Sequence, residues 1–597
     1  MSYAPKTKCE RRGNAFFTAR SSRFFGFCCE SGESAGTAVS GRDVPVRERA
    51  FTACSEFCAA LKFPAMNPCY RKTLRSIFLT AGLALSATFL GVPAVVGAPS
   101  SSGGKSAKAA KVEVATDASI PALPAGSPKP YGAIPSSRQL LWQRMEFYAF
   151  IHFGLNTFTG REWGYGDEDP SIFNPKSFDA DAIVKTLKAG GMTGMIYTAK
   201  HHDGWCAWPT KTTPHNITKS AWKGGKGDVV REFSDACAKN GMKFGIYVSP
   251  WDRNHAEYGK DGYVKDYHKQ IAELLSNYGP IFELWLDGAN GGDGFYGGAK
   301  EKRQIGNASQ YYDFPKIVEI ARKYQPNCAV WGAGNYGDVR WGGSEAGVVG
   351  YPHWAMNDTK KGTTHPTSCT EGCKWPRASH GIEDGNRWVP AEADTCINRS
   401  GWFWHKSNNP KSAKELLDIW FKSVGRGANL ILNLGPDQNG KLDSNDVKAL
   451  MDFKALRDKL FKKDFALNGN ATSKTCRKGN QKSFGPKNLV DGDINTFWAG
   501  ENKDTAIEAV IELPTRAEFD VVRLREEIRL GQRVKAWAID IEEGKDNWKE
   551  VLVGSTIGAQ AMLRLPNPVK ASKIRLRITE SAAVPCISEL SLFKYPQ

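Results

Sequence analysis

The run FELWLDGANGG carries four apolar or aromatic positions into the carboxylate of Asp287 and then breaks into glycines. Asp-Gly is a common turn pair, because Asp bonds its own backbone and Gly accepts unusual dihedrals. A second acid, Glu345, lies in the glycine-flanked GGSEAG, and Glu392 and Asp394 follow in PAEADTC. Two carboxyl groups on either side of an acetal bond can cleave it. About 5 Å apart, one attacks while the other shuttles a proton; wider spacing leaves room for water. Asp287 at a strand end suits the nucleophile, and Glu345 suits the acid/base. Glu392 is the rival for the proton role, since it also lies at a predicted strand end. Imidazoles and flat rings recur nearby, in His152-Phe153-Gly154, Glu162-Trp163, Lys200-His201-His202-Asp203, Tyr247-Val248-Ser249-Pro250-Trp251-Asp252, Asp338-Val339-Arg340-Trp341 and Gly401-Trp402-Phe403-Trp404-His405. That mixture suits an apolar-faced, hydroxyl-rich ligand such as a sugar.

The elements that must hold these groups are legible as alternating β and α patterns. Strands are expected at 147–153, 195–199, 244–248, 282–286, 328–331 and 430–434. Helical stretches such as DADAIVKTLKAGG and VVREFSDACAKNG lie between them, several ending at Gly. Repeated β–α units over residues 136–465 predict an α/β fold, a (β/α)8-like (TIM) barrel. Its sixth and seventh strands are hidden in the Gly- and Pro-rich tract 341–390, so a distorted or incomplete barrel is compatible. Active sites of such barrels form at the C-terminal strand ends, where the segments above lie. Residues 466–597 change texture to short alternating runs such as DVVRLREE and KIRLRITE, which predict an antiparallel β-sandwich.

The chain has 597 residues and a net charge of +17, but residues 1–98 alone carry 13 Lys or Arg against 6 Asp or Glu. The remaining excess is spread without a long basic run, which argues against nucleic-acid binding. From Met66, a basic start, an apolar stretch from Ile77 to Val96 and small-residue exits at Ala94 or Ala98 match a secretory signal peptide over 66–98. A secreted or periplasmic protein with no lasting membrane anchor is expected. Residues 1–65 then read as a mis-assigned extension, and 99–135 as a small-residue linker. Six of the 14 Cys lie before residue 99. Cys369 and Cys373 suit a local loop disulfide or free thiols, and Cys476 and Cys586 could close the last domain.

Taken together, FIHFGLNTFTGREWGYG, AKHHDGWCAWPT, YVSPWD, LWLDGANG, VRWGGSEAG, PAEADTCINRSGWFWH and GANLILNLGPDQNGKL resemble glycoside hydrolase family 29, the α-L-fucosidases. The SPWD and RWGGSEAG forms resemble the subfamily acting on α-1,3/1,4-linked fucose of branched, Lewis-type glycans. The resemblance implies a retaining double displacement with Asp287 as nucleophile and Glu345 as acid/base, and no cofactor. It implies a fucose pocket of His152, Glu162, Trp163, His201, His202, Tyr247 and Trp251, with Arg340, Glu392 and Trp402 as further candidates. Ser344 and Cys396 depart from the family pattern, and both fall on the aglycone side.

Other readings compete. Adjacent His201 and His202 on a strand would point to opposite faces, which argues against a shared metal. Lys200 is expected to pair with an acid in the barrel interior. The WFWH rings could be core. NLVDGDINTFWAG and CISELSLFKY resemble discoidin-like or galactose-binding-like sandwiches. Asp491 and Asp493 there could hold a structural calcium, with a plain turn an equal reading. A non-catalytic glycan-binding protein on the same fold, a fucosidase of α-1,2 or broad linkage preference, and a barrel hydrolase for another hexose are the alternatives. The sequence carries no statement of oligomeric state.

Overall fold

The computed structural model describes residues 120–288, 292, 294–358 and 376–597. The expected signal peptide and the Cys369–Cys373 loop lie outside the described residues. Eight strands form one parallel sheet: β1 (Phe147–Ile151), β2 (Gly194–Lys200), β3 (Lys243–Val248), β4 (Ile281–Trp285), β5 (Ala329–Trp331) and β6 (Arg340–Trp341), then, after a two-stranded ribbon of β7 (Met356–Asn357) and β8 (Arg387–Trp388), β9 (Ala391–Cys396) and β10 (Asn429–Asn433). Their order is β5-β4-β3-β2-β1-β10-β9-β6. A single bridge between Trp331 and Val339 joins the two edges, so the barrel nearly closes. The sixth strand ends at the start of the tract 341–390 and the seventh begins just after it. With two residues, β6 is too short to show a period.

β1 is apolar at every position because both faces are covered. Phe147, Ala149 and Ile151 pack outward against the helical layer, while Tyr148 and Phe150 fill the barrel with Ile196, Tyr247, Trp285, Trp331 and Ile431. The helices Ala180–Ala189, Val229–Asn240 and Phe314–Tyr324 start at Asp179, Asp228 and Asp313. Each of these carboxylates accepts a first-turn backbone N–H.

Lys200 does not face the barrel interior. The β2–β3 register shifts between Thr198 and Lys200, and such an irregularity re-aims the next side chain. Its ammonium bonds Asp252 at 3.1 Å, Gln270 at 3.0 Å and the Tyr263 hydroxyl at 3.2 Å, all fully buried beneath the helix Asp261–Asn277. The interior acids are instead Glu283 and Glu392. Trp142 donates to Glu283 at 2.7 Å and the Trp285 indole donates to Glu392, while the Tyr148 hydroxyl, with one proton, lies within hydrogen-bond reach of both acids.

The last domain is antiparallel throughout: β11 (Asn470–Thr472), β12 (Trp498–Ala499), β13 (Ile507–Glu526), β14 (Val534–Glu542), β15 (Trp548–Gly554), β16 (Ala561–Ser581) and β17 (Cys586–Phe593). It encloses its own core around Trp498, Phe519, Trp537 and Leu576. Arg525 pairs with Glu146 at 2.8 Å, Arg144 donates to Asn495 at 2.7 Å, and Gln560 donates to Val424 O at 3.0 Å. Those barrel residues precede β1 and β10, so the domain braces the N-terminal strand ends.

Cys476 and Cys586 are both free thiols and do not close this domain. Cys586 is buried, where the Arg533 guanidinium donates to its sulfur at 3.5 Å. Asp491 accepts from Asp493 N and Thr496 Oγ1, and Asp493 accepts from Asn495 N, so both carboxylates shape their own loop.

Candidate active site

Period-two alternation along β4 puts Glu283, Trp285 and then Asp287 on the barrel side. Asp287 emerges past the strand end with a side chain 36% exposed. The Tyr247 hydroxyl donates to its Oδ2 at 3.2 Å, and His202 Nε2 lies 3.9 Å from the same oxygen. Gly288 makes this approach possible. Its φ is +75°, and a Cβ there would lie 2.3 Å from the His202 ring. Burial raises the Asp287 carboxyl, and bonds from Gly288 and Tyr247 partly offset that.

Three imidazoles cluster around Tyr247, His202 nearest the acid, and their partners fix the tautomers of two of them. Ser249 Oγ lies 2.7 Å from Trp251 O and 3.2 Å from Asp287 O, so its proton goes to a carbonyl. Ser249 Oγ therefore accepts from His202 Nδ1–H at 2.7 Å, leaving Nε2 as a bare acceptor. His152 works the same way. Asn433 Nδ2 donates to Trp402 O at 2.7 Å, which turns Asn433 Oδ1 toward His152 Nδ1–H at 2.8 Å. Burial pulls His152 and His202 down to about 3, and His201 well below its ordinary value, so all three are neutral near pH 7. His201 and His202 are not on opposite faces. Their ring centroids are 4.0 Å apart, because the chain has left β2 at Lys200. Among the described residues no group of three or more His, Cys, Asp or Glu could hold a metal ion.

Glu345 projects from the loop after β6. Gly342 N donates to Glu392 O and Gly347 N to Asp394 O, so β9 pins both sides of that loop. The side chain is exposed to solvent, though the surrounding protein partly desolvates its carboxyl. That desolvation raises its carboxyl first, the Asp287 charge second and Glu162 less, while a Trp402 hydrogen bond lowers it. Asp394 lies close enough for Glu345 to push its already burial-raised carboxyl further up, and the Trp341 indole donates to it at 2.7 Å.

The remaining expected residues are flat or rim-forming. Tyr247 stacks on His201 and Trp285 at 5.6 and 5.5 Å. Trp251 packs on His202 at 5.0 Å and on Trp163 at 5.8 Å, and Trp163 is 38% exposed. Trp402 packs on His152 at 5.2 Å, so it lines the site and is not plain core; Phe403 is buried behind it. Glu162 accepts from Trp402 N at 2.8 Å and pairs with His405 Nε2 at 2.7 Å.

Two candidates are not brought to the site. Glu392 is the second residue of β9, at the opposite end from the pocket, fully buried with both oxygens bonded. Arg340 is 1% exposed, and its guanidinium bonds the carbonyls of Ala378, Val389 and Trp354. Its neighbour Trp341 takes the inward position of β6. Asn433, Ser249, Asp394 and His405 complete the geometry without having been singled out as site residues. Asn433 carries the same signal as Asp287, a polar residue ending an apolar strand.

The arrangement joins a partly exposed carboxylate, a second carboxyl under its field, neutral imidazole acceptors and aromatic walls at one barrel mouth. The α-L-fucosidase family model matches residues 132–455, and the F5/8 type C domain model matches residues 468–590. α-L-Fucosidase 1 of Arabidopsis thaliana is 36% identical over 471 residues, 78% of this chain and 88% of that protein. The crystal structure of SpGH29 is similar at 35% identity and a TM-score of 0.70, over 79% of this chain and 100% of that one. A Ruminococcus gnavus GH29 fucosidase in complex with fucose is similar at 32% identity and a TM-score of 0.71, over 79% and 97% of the two chains. The chain belongs to glycoside hydrolase family 29, the α-L-fucosidases.

Proposed function

We propose that this α-L-fucosidase is a secreted exo-enzyme that removes terminal α-1,3/1,4-linked L-fucose from branched glycans with retention of configuration. The observation that carries the reading is Asp287, held at a strand end by Tyr247 and within the field of a second carboxyl, Glu345. In the first displacement Glu345 gives its proton to the glycosidic oxygen while Asp287 attacks the anomeric carbon and the C–O bond breaks. In the second, Glu345 takes a proton from water, which attacks the anomeric carbon, and Asp287 leaves. The His152 and His202 Nε2 lone pairs accept from fucose hydroxyls, and Tyr247, Trp251 and Trp402 wall the ring. Each role is performed by side chains, so no cofactor is called for. Linkage preference rests on the SPWD and RWGGSEAG segments, and secretion on the signal-like pattern over 66–98.

An aryl α-L-fucoside, a Lewis-type trisaccharide and an α-1,2-fucosylated glycan offered to the purified protein test this. Release from the first two is expected. Release from none rejects the hydrolase, and release only from the α-1,2 glycan rejects the linkage assignment.

A further inference from the structure

Glu162 sits on the loop after β1 with its side chain 34% exposed, too open for burial to fix its rotamer. Both of its oxygens are nevertheless engaged, and both partners come from one short stretch after β9, two strands round the barrel from β1. The Trp402 backbone N–H donates to Oε2 at 2.8 Å, and the His405 Nε2–H donates to Oε1 at 2.7 Å. Residue 401 is built for this approach. Gly401 has φ +143°, and a Cβ there would lie 2.2 Å from Glu162 Oε1. The stretch is itself anchored, since Asn433 of β10 donates to Trp402 O. It also carries the Trp402 ring against His152 and a hydrogen bond to Glu345.

We infer that His405 is a positioning residue for hydrolysis, acting through Glu162: with the Trp402 amide it holds the Glu162 carboxylate in one orientation, its remaining lone pairs aimed at a fucose hydroxyl. This rests on the fucosidase reading above. A carboxylate oxygen accepts more than one hydrogen bond, so each oxygen can keep its protein donor and still take a ligand hydroxyl. A charge-assisted bond at 2.7 Å is short and directional, which a solvent-facing Glu arm otherwise lacks. His405 does not touch the reacting atoms in this account.

The test compares wild type, His405→Phe, His405→Gln, Glu162→Ala and the Glu162→Ala/His405→Phe double variant. The readouts are KM and kcat on an aryl α-L-fucoside, inhibition by L-fucose, and Tm. His405→Phe is expected to raise KM and the L-fucose inhibition constant about 10-fold with kcat less affected, the scale of a hydrogen bond to a charged group. His405→Gln, which keeps an N–H donor, is expected to recover most of that loss. In the Glu162→Ala background, His405→Phe is expected to add less than about 2-fold, because coupled residues are not additive. Full additivity, or equal losses in the Phe and Gln variants, overturns the inference while leaving the fucosidase standing. An inactive wild type overturns the fucosidase reading and this inference with it. If His405→Phe does not fold, the same cycle with His405→Ala, which also lacks the donor, decides, since an Ala variant as impaired in the Glu162→Ala background as alone gives the overturning result.

Discussion

Tyr247 donates its hydroxyl to Asp287 Oδ2 at 3.2 Å while its ring stacks on Trp285, two residues before that acid on the same strand. One side chain therefore both packs on the strand end and, with the Gly288 N–H, favours the ionised form of the acid beyond it against the effect of burial. Asp287→Ala is expected to lose at least ~10³-fold in turnover, the scale of single catalytic groups. Azide should restore turnover with an inverted fucosyl azide as product. A retained azide product would reject Asp287 as nucleophile. Tyr247→Phe is expected to lose about 10-fold, the scale of one hydrogen bond to a charged group.

The pH profile follows from two raised carboxyls with opposite duties. Asp287 must be ionised to attack, so its raised value moves the acid limb of kcat/KM above the ordinary Asp range. Glu345 must be protonated to donate, so activity falls as pH rises through its own raised value. Glu162 contributes to that rise, so Glu162→Gln should move the alkaline limb to lower pH as well as weaken binding. An unmoved limb in that variant would show that the Glu162 charge does not act on the group that sets it. Glu345→Ala should spare an aryl fucoside with a good leaving group by about 10²-fold relative to a glycan, because only the glycan needs the proton.

The barrel, its strand-end acids and its imidazoles were legible because one residue sufficed to mark each: Asp287, His152 and His202 interrupt apolar runs. What could not be read depends on register. Glu392 and Asp394 are two residues apart on β9 and share its barrel face, and only their contacts show that the first is buried on Tyr148 and Trp285 while the second lies within reach of Glu345. Lys200 was misplaced because a single irregularity against β3 reverses the facing that period two predicts. Arg340 failed for a related reason, since a two-residue strand offers no alternation by which to choose between it and Trp341. Ser249 and Asn433 went unremarked because their task is to turn an imidazole, which spacing does not encode.

Lys200 and Asp252 form a fully buried pair that ties the end of β2 to the loop after β3. Burial works to raise the Asp252 carboxyl, but the Lys200 and His255 charges and hydrogen bonds outweigh it and hold it below the ordinary range. That part of the stability is present above the ordinary Asp value and is lost as pH falls toward the folded value. Lys200→Met leaves a buried carboxylate unpaired and is expected to cost about 3–5 kcal/mol by denaturant unfolding. The double change Lys200→Met/Asp252→Leu should recover most of it. A loss that persists in the double variant would show that Asp252 matters through the Asn254 and His255 N–H groups it accepts from more than through its charge pair.

Glu283 and Glu392 meet across the Tyr148 hydroxyl at the centre of the barrel, where Tyr148 has one proton for two acids. Burial lifts Glu392 above the ordinary carboxylate range and, with the charge of Glu392, lifts Glu283 well above it. The folded state therefore binds more protons than the unfolded chain from about pH 4.5 upward. Stability must fall as pH rises through that window, and keeps falling until both acids are ionised in the folded state. Glu392→Gln removes that acid's share of the penalty and its charge on Glu283 and keeps the network, since the amide oxygen can accept from Trp285 and the amide N–H can donate to Tyr148. That variant is expected to match wild type near pH 5 and to unfold at a higher temperature than wild type at pH 8. A variant that is less stable at both values would mean the dyad is ionised and held by charge, reversing the sign assigned to it.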